Sequence, residues 1–140
     1  MSLVSLAHYA VRTADLAASR RFYVEVLGLR AGYRPPFPFP GEWLYLDDDE
    51  TGFGVVHLIG EARGGDDAVR GYLGARCGEP GSGALDHLAF LACDWPAMRR
   101  RLEAHATPFT ERVVPELGLR QVFVRDPAGV VVELNFAAAP

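Results

Sequence analysis

Lysine is absent from the 140 residues, so every fixed side-chain cation is an arginine. Arginine suits planar recognition of carboxylate or phosphate. A GC-rich coding sequence that also favours Ala, Gly and Pro is the plainer account of the same bias. Positive charge is the scarcer sign: 14 basic residues stand against 18 acidic ones, a formal net charge of −4. That balance disfavours nucleic acid and membranes as partners, since both select a basic face. Cysteine is scarce too. Cys77 and Cys93 form no CxxC and are too few for a disulfide framework. Cys93, at a strand end, reads as a small buried apolar residue, and no sequence partner activates Cys77. No apolar stretch approaches the ~18 residues of a membrane span. No basic segment leads into an apolar run at the N-terminus, so no signal peptide is expected and the cytoplasm is the default location. The length suits one domain with its own core.

What the chain does contain is a repeat. Val55-Val56-His57-Leu58 returns as Val131-Val132-Glu133-Leu134, 76 residues on. Ala7-His8-Tyr9-Ala10 is echoed by Asp86-His87-Leu88-Ala89, at an offset of 79. Asp15 and Asp94, each expected to cap a helix, share that offset. The first half reads as a strand over 3–12, a helix from Asp15 closed by Gly28, and strands Leu29–Arg34, Glu42–Asp47 and Phe53–Ile59. Leu16, Ser19, Tyr23 and Val26 are expected on one side of that helix. The second half reads as a strand Leu85–Ala92, a helix with Pro96 in its first turn, and strands Phe109–Val114, Arg120–Arg125 and Val130–Phe136. Trp95, Met98, Leu102 and His105 should line one face of the second helix. Asp126-Pro127-Ala128-Gly129 supplies the last turn.

Each half is therefore β-α-β-β-β. Module one spans about 1–60, a connector 61–83 and module two 84–137, within a single domain of 1–140. The connector is Gly-rich, with one helical turn expected near Asp67–Tyr72. Its length points to a functional or mobile segment.

Four ligand-type residues lie among the apolar strands. Glu133 is flanked by Val132 and Leu134, and a carboxylate in such a place must be paired, hydrogen-bonded or metal-bound. His8, His57 and His87 have the same placement, one per strand. Repeat symmetry puts all four on the faces turned away from the helices. Two histidines and a carboxylate with open positions is a recurring way to hold a reactive divalent ion. His57 then either completes the ligand set or acts as a base beside it.

At these residues the chain resembles the vicinal oxygen chelate superfamily of glyoxalases, bleomycin-resistance proteins and extradiol dioxygenases. The carrying motifs are SLAHYAVRTADLAASRRFYVEVLGL, WLYL, VVHLIG, LDHLAF and FVRDPAGVVVELNF, which together cover nearly the whole chain. The resemblance implies an α+β fold in which two tandem βαβββ modules form a half-barrel around a metal that chelates two substrate oxygens. It implies His8, His87 and Glu133 as metal ligands, with the fourth position falling on His57. Bacterial glyoxalase I enzymes usually carry glutamate there, so His57 is a departure. It also implies a homodimer with a small-molecule substrate.

Side-chain parity extends the expected site. Trp43 and Tyr45 share a strand face, as do Gln121 and Phe123, and all four are expected to bind substrate. Leu44, Leu46, Val122 and Val124 would pack under helices instead. Phe37 and Phe39, in the proline-rich run 35–40, would close a cavity mouth or bury at a dimer interface. His105 sits where a cation meets a helix C-terminus favourably and is not counted as a ligand.

Three functions fit this set. One is a metal-dependent isomerase or lyase of glyoxalase type, using Zn, Ni, Co, Mn or Fe(II), with Glu133 or His57 moving a proton. Another is an extradiol-type dioxygenase holding Fe(II) with His8, His87 and Glu133. The third is a non-catalytic drug-binding resistance protein. A thiol transferase acting on an antibiotic epoxide also resembles the family, without a loop signature here.

Overall fold

The protein is described from a computed structural model covering residues 4–50, 52, 54–61, 67–74 and 80–138. Cys77 and Phe53 lie outside the described residues. The chain forms two compact units, Met1–Gly78 and Glu79–Pro140. Each carries a four-stranded sheet with the same strand order, and the fold is α+β with tandem βαβββ modules.

In the first unit the sheet runs β1 (Tyr9–Thr13), β4 (Val56–Gly60), β3 (Gly41–Tyr45), β2 (Arg30–Gly32). β1 and β4 are parallel, and the other pairs are antiparallel. The parallel pair needs a crossover, which α1 (Leu16–Arg21) begins. Asp15 caps α1 by accepting a 2.9 Å hydrogen bond from the Ala18 amide. The helix then widens into a π-helical segment, Phe22–Val26, where the Leu27 amide reaches back to the Phe22 carbonyl at 3.0 Å. In this wider turn Phe22, Tyr23, Val26 and Leu27 are all buried, and Ser19 with them, while Leu16 is half-buried. Gly28, at φ 89°, ends the helix as its sequence position suggests, and the Leu29 amide donates to the Tyr23 carbonyl. Val11, Leu44, Val56 and Leu58 supply the sheet side of this core.

In the second unit β5 (Leu88–Ala92) lies parallel to β8 (Val131–Ala137), followed by β7 (Leu119–Arg125) and β6 (Phe109–Val114). α3 (Trp95–Ala104) makes the crossover. Asp94 caps it through a 3.0 Å bond from the Ala97 amide, mirroring Asp15. Met98 and Leu102 are buried, as are Val122, Val124, Val132, Leu134 and Phe136. The β7–β8 turn is built as the sequence suggests. Gly129 stands at φ 89°, and the Asp126 carboxylate accepts from the Val130 amide at 2.7 Å. This turn sets the register of β8, and therefore the aim of Glu133.

Several expectations need correction. The first strand opens at Tyr9 and β5 at Leu88, so His8 and His87 each sit one residue before a strand rather than inside it. Leu46 is 62% exposed, because β3 ends at Tyr45 and leaves it beyond the helix-covered face. Cys93 is exposed, because β5 has already stopped at Ala92. Phe39 is buried within its own unit, 5% exposed in a cluster with Ile59 and Val69, with Phe37 and Ala68 packed against it. Val69 belongs to α2 (Asp67–Leu73), so the connector holds a full short helix. Trp95 is half-buried and His105, at the C-cap of α3, is exposed.

Candidate metal-ligand pairs

Strand alternation places His57 and Glu133 on the faces opposite the helices. The register makes them equivalents. His57 lies between Ala10 of β1 and Trp43 of β3, and Glu133 between Ala89 of β5 and Phe123 of β7. Each ligand-type residue therefore stands between an alanine and an aromatic at the same place in its module.

In the first unit His57 is buried and forms the middle of a ring stack. The His8 ring is 3.8 Å from it at 16°, and the Trp43 ring 4.0 Å from it at 7°. His8 itself is exposed. Stacking engages the ring faces, whereas an imidazole binds metal through a lone pair in the ring plane, so the two uses are compatible. Tyr45 shares the face of Trp43, but it is 2% exposed and its hydroxyl donates to the Tyr33 carbonyl at 2.7 Å.

In the second unit His87 Nε2 lies 2.8 Å from Glu133 Oε2. Glu133 is 4% exposed, so its charge requires partners. Gln121 donates to its other oxygen, Oε1, at 2.9 Å and to Asn135 Oδ1 at 3.3 Å. The Gln121 carbonyl oxygen accepts from Arg112 Nε at 2.7 Å, which fixes which end of the amide faces Glu133. His87 Nδ1 is 2.7 Å from Asp86 Oδ2, and Phe123 meets the His87 ring edge-on at 5.8 Å. The Asp86 hydrogen bond, with the nearby Glu133 charge, holds the His87 pKa above the ordinary histidine value.

An octahedral divalent ion with bonds of about 2.0–2.2 Å sets neighbouring donor atoms about 3 Å apart. The His87–Glu133 pair already has nearly that spacing. Asp86 holds the far nitrogen of the ring and Gln121 the far oxygen of the carboxylate, which is the outer support a ligand pair needs. This pair fits a metal. Among the described residues, no three of His, Cys, Asp and Glu group closely enough to hold an ion; His8 with His57, and His87 with Glu133, remain pairs within their own units.

Asp86, Asn135 and Arg112 have places in this arrangement that sequence reasoning did not give them. Asp86 adjoins His87, and strict alternation would send it to the opposite face. His87 precedes its strand, which lets Asp86 turn back. Arg112 is found only through the β6–β7 register, Arg112 opposite Gln121.

The model of the Glyoxalase/Bleomycin resistance protein/Dioxygenase superfamily matches residues 5–134. The chain belongs to that superfamily. Among solved structures, likeness of fold extends over nearly the full chain. Lactoylglutathione lyase from Agrobacterium tumefaciens is 21% identical with a TM-score of 0.60, covering 97% of this chain and 96% of that one. The fosfomycin resistance protein FosX from Listeria monocytogenes is 14% identical with a TM-score of 0.65, covering 96% and 93%. The antibiotic-binding protein TnmS3 from Streptomyces sp. CB03234 is 21% identical with a TM-score of 0.63, covering 99% of each chain. At these identities the likeness shows the fold alone. No curated protein sequence matches the chain. Superfamily membership leaves the specific activity open, since the similar structures include a lyase, a resistance protein and an antibiotic binder. Among the described residues no helix is long and apolar enough to cross a membrane.

Proposed function

We propose that the protein is a metal-dependent enzyme of glyoxalase type, an isomerase or lyase, acting on a small substrate chelated through two adjacent oxygens. The observation that carries this is the His87–Glu133 pair. A carboxylate oxygen and an imidazole nitrogen stand 2.8 Å apart, each with its far atom held by Gln121 or Asp86. We assign His8, His57, His87 and Glu133 as the ligand set for Zn, Ni, Co, Mn or Fe(II). When bound, such an ion acts as a Lewis acid towards a carbonyl or enediolate oxygen.

The protein's own residues then do the following. Glu133 or His57 moves a proton at the carbon beside the chelated oxygens. Gln121 keeps the Glu133 carboxylate oriented. Trp43 and Phe123, at equivalent register positions, offer ring faces to the substrate. Tyr45, with its hydroxyl engaged, contributes packing more than polar contact. Neutral His57 in place of a carboxylate leaves the site with net positive charge, which favours an anionic substrate.

One observation supports a second reading. His57 is buried within its ring stack, which suits an acid or base beside a three-residue Fe(II) set of His8, His87 and Glu133 as well as it suits a fourth ligand. That set suits an extradiol-type dioxygenase. Elemental analysis of protein purified without chelator, with oxygen uptake on catechols, separates the readings. Ni, Co or Zn without oxygen uptake supports proton-transfer chemistry, and Fe(II) with uptake supports the dioxygenase. Absence of metal uptake supports the non-catalytic drug-binding reading.

A homodimer and a cytoplasmic location belong to the same proposal. β1 and β5 each end a sheet, and an unpaired sheet edge is something a partner would cover; Leu6, before β1, and Leu91, on β5, are 83% and 88% exposed, each in its own unit. A monomeric mass by sedimentation at micromolar concentration would overturn the dimer.

A further inference from the structure

We propose that Arg112 is a specificity residue that receives a carboxylate on the substrate, so that the substrate is a chelating acid with a second, distal carboxylate. This rests on the metal-dependent reading above. It adds a substrate class which that reading does not contain.

Three arginines of the second unit are engaged elsewhere. Arg120 is paired with Glu111, Arg99 with Glu103 at 2.9 Å, and Arg125 donates to the Gly129 carbonyl at 3.0 Å. Arg112 differs. Its Nε donates to the neutral Gln121 amide, its guanidinium lies 5.4 Å from the centre of the Phe123 ring, and it meets no carboxylate among the described residues. The strand register puts it on the face that carries Glu133 and His87. Two contacts therefore fix the plane of the group while its terminal nitrogens keep their donor capacity. An arginine held in this way loses little further freedom on binding an anion, and its fork matches a carboxylate with two parallel hydrogen bonds.

Neighbours narrow the anion. Gln121 stands opposite Arg112, with Thr110 and Val114 flanking it on the same face of β6, and none brings a second cation. A single guanidinium suits a carboxylate better than a phosphate dianion. β6 and β8 are two strands apart, roughly 10 Å between backbones. Both side chains reach away from the sheet, so a short carbon chain spans from chelating oxygens to the guanidinium. Gln121 links the two ends, with its oxygen on Arg112 and its amide nitrogen on Glu133.

The test uses Zn²⁺-loaded full-length protein and two probes of equal chain length. 2-Oxoglutarate has a chelating 2-oxo acid and a distal carboxylate; 2-oxovalerate lacks the distal group. Calorimetry should give about tenfold or tighter binding for 2-oxoglutarate. R112A should abolish that ratio while leaving Zn²⁺ uptake and 2-oxovalerate affinity unchanged, and R112K should restore part of the ratio. Equal binding, or no binding, of the two probes to Zn²⁺-loaded wild type overturns the inference, as does a ratio that survives R112A. Zn²⁺ lost in both R112A and R112K also overturns it, by marking Arg112 as a support for Gln121. Wild-type protein that takes up no metal overturns the metal-dependent reading itself, and this inference with it.

Discussion

His87 Nε2, one residue before β5, and Glu133 Oε2, on β8, meet at 2.8 Å, and each is held from behind, by Asp86 and by Gln121. The Asp86 bond has a consequence for pH. It raises the His87 pKa above the ordinary histidine value, with the Glu133 charge adding to it. A raised folded-state pKa gives stability that is present below the unfolded histidine pKa and is lost as pH rises through the folded value. A divalent ion needs the neutral ring, so metal affinity should weaken as pH falls through that same raised value. An NMR titration of the His87 ring in metal-free protein should place its midpoint above the usual histidine range, and D86N should bring it down. An unchanged midpoint in D86N would show that Asp86 does not set it.

The ring stack of the first unit makes a separate prediction. With Trp43 only 4.0 Å from His57, H57A should alter Trp43 fluorescence, and W43F identifies the signal against Trp95. If His57 is a base, H57A costs turnover more than metal occupancy. If it is a ligand, occupancy falls first. H57E should weaken binding of an anionic chelate and preserve the metal. Unchanged affinity and rate in both variants would make His57 a packing residue.

Phe39 tests the account of the proline-rich run. At 5% exposure against Ile59 and Val69, its truncation to alanine should cost about 3–5 kcal/mol of stability in denaturant unfolding. A loss under about 1 kcal/mol, with a weakened oligomer, would return Phe39 to an interface role.

The sequence made the tandem modules legible because a repeat is visible without knowing any contact. His57 and Glu133, and the caps Asp15 and Asp94, announce equivalent places by their spacing alone. Period-two alternation also placed Leu44, Val122 and Val124 under the helices. It failed for Leu46 and Cys93, because alternation describes a strand and not where the strand ends. The π-helical segment Phe22–Val26 was hidden for a similar reason: a 3.6-residue pattern and a wider turn bury nearly the same residues. Phe37 and Phe39 were legible as apolar but not by partner, since their contact with Val69 joins segments far apart in the chain. Asp86 and Arg112 came only from three-dimensional register and from a strand that opens after His87.

Metal stoichiometry of wild type and E133A, measured by elemental analysis after reloading chelator-treated protein, tests the central claim most directly. Circular dichroism of both proteins provides the fold check. The account predicts a single divalent ion per chain in wild type and its loss in a folded E133A variant. No uptake by wild type, or equal uptake by folded E133A, would contradict it.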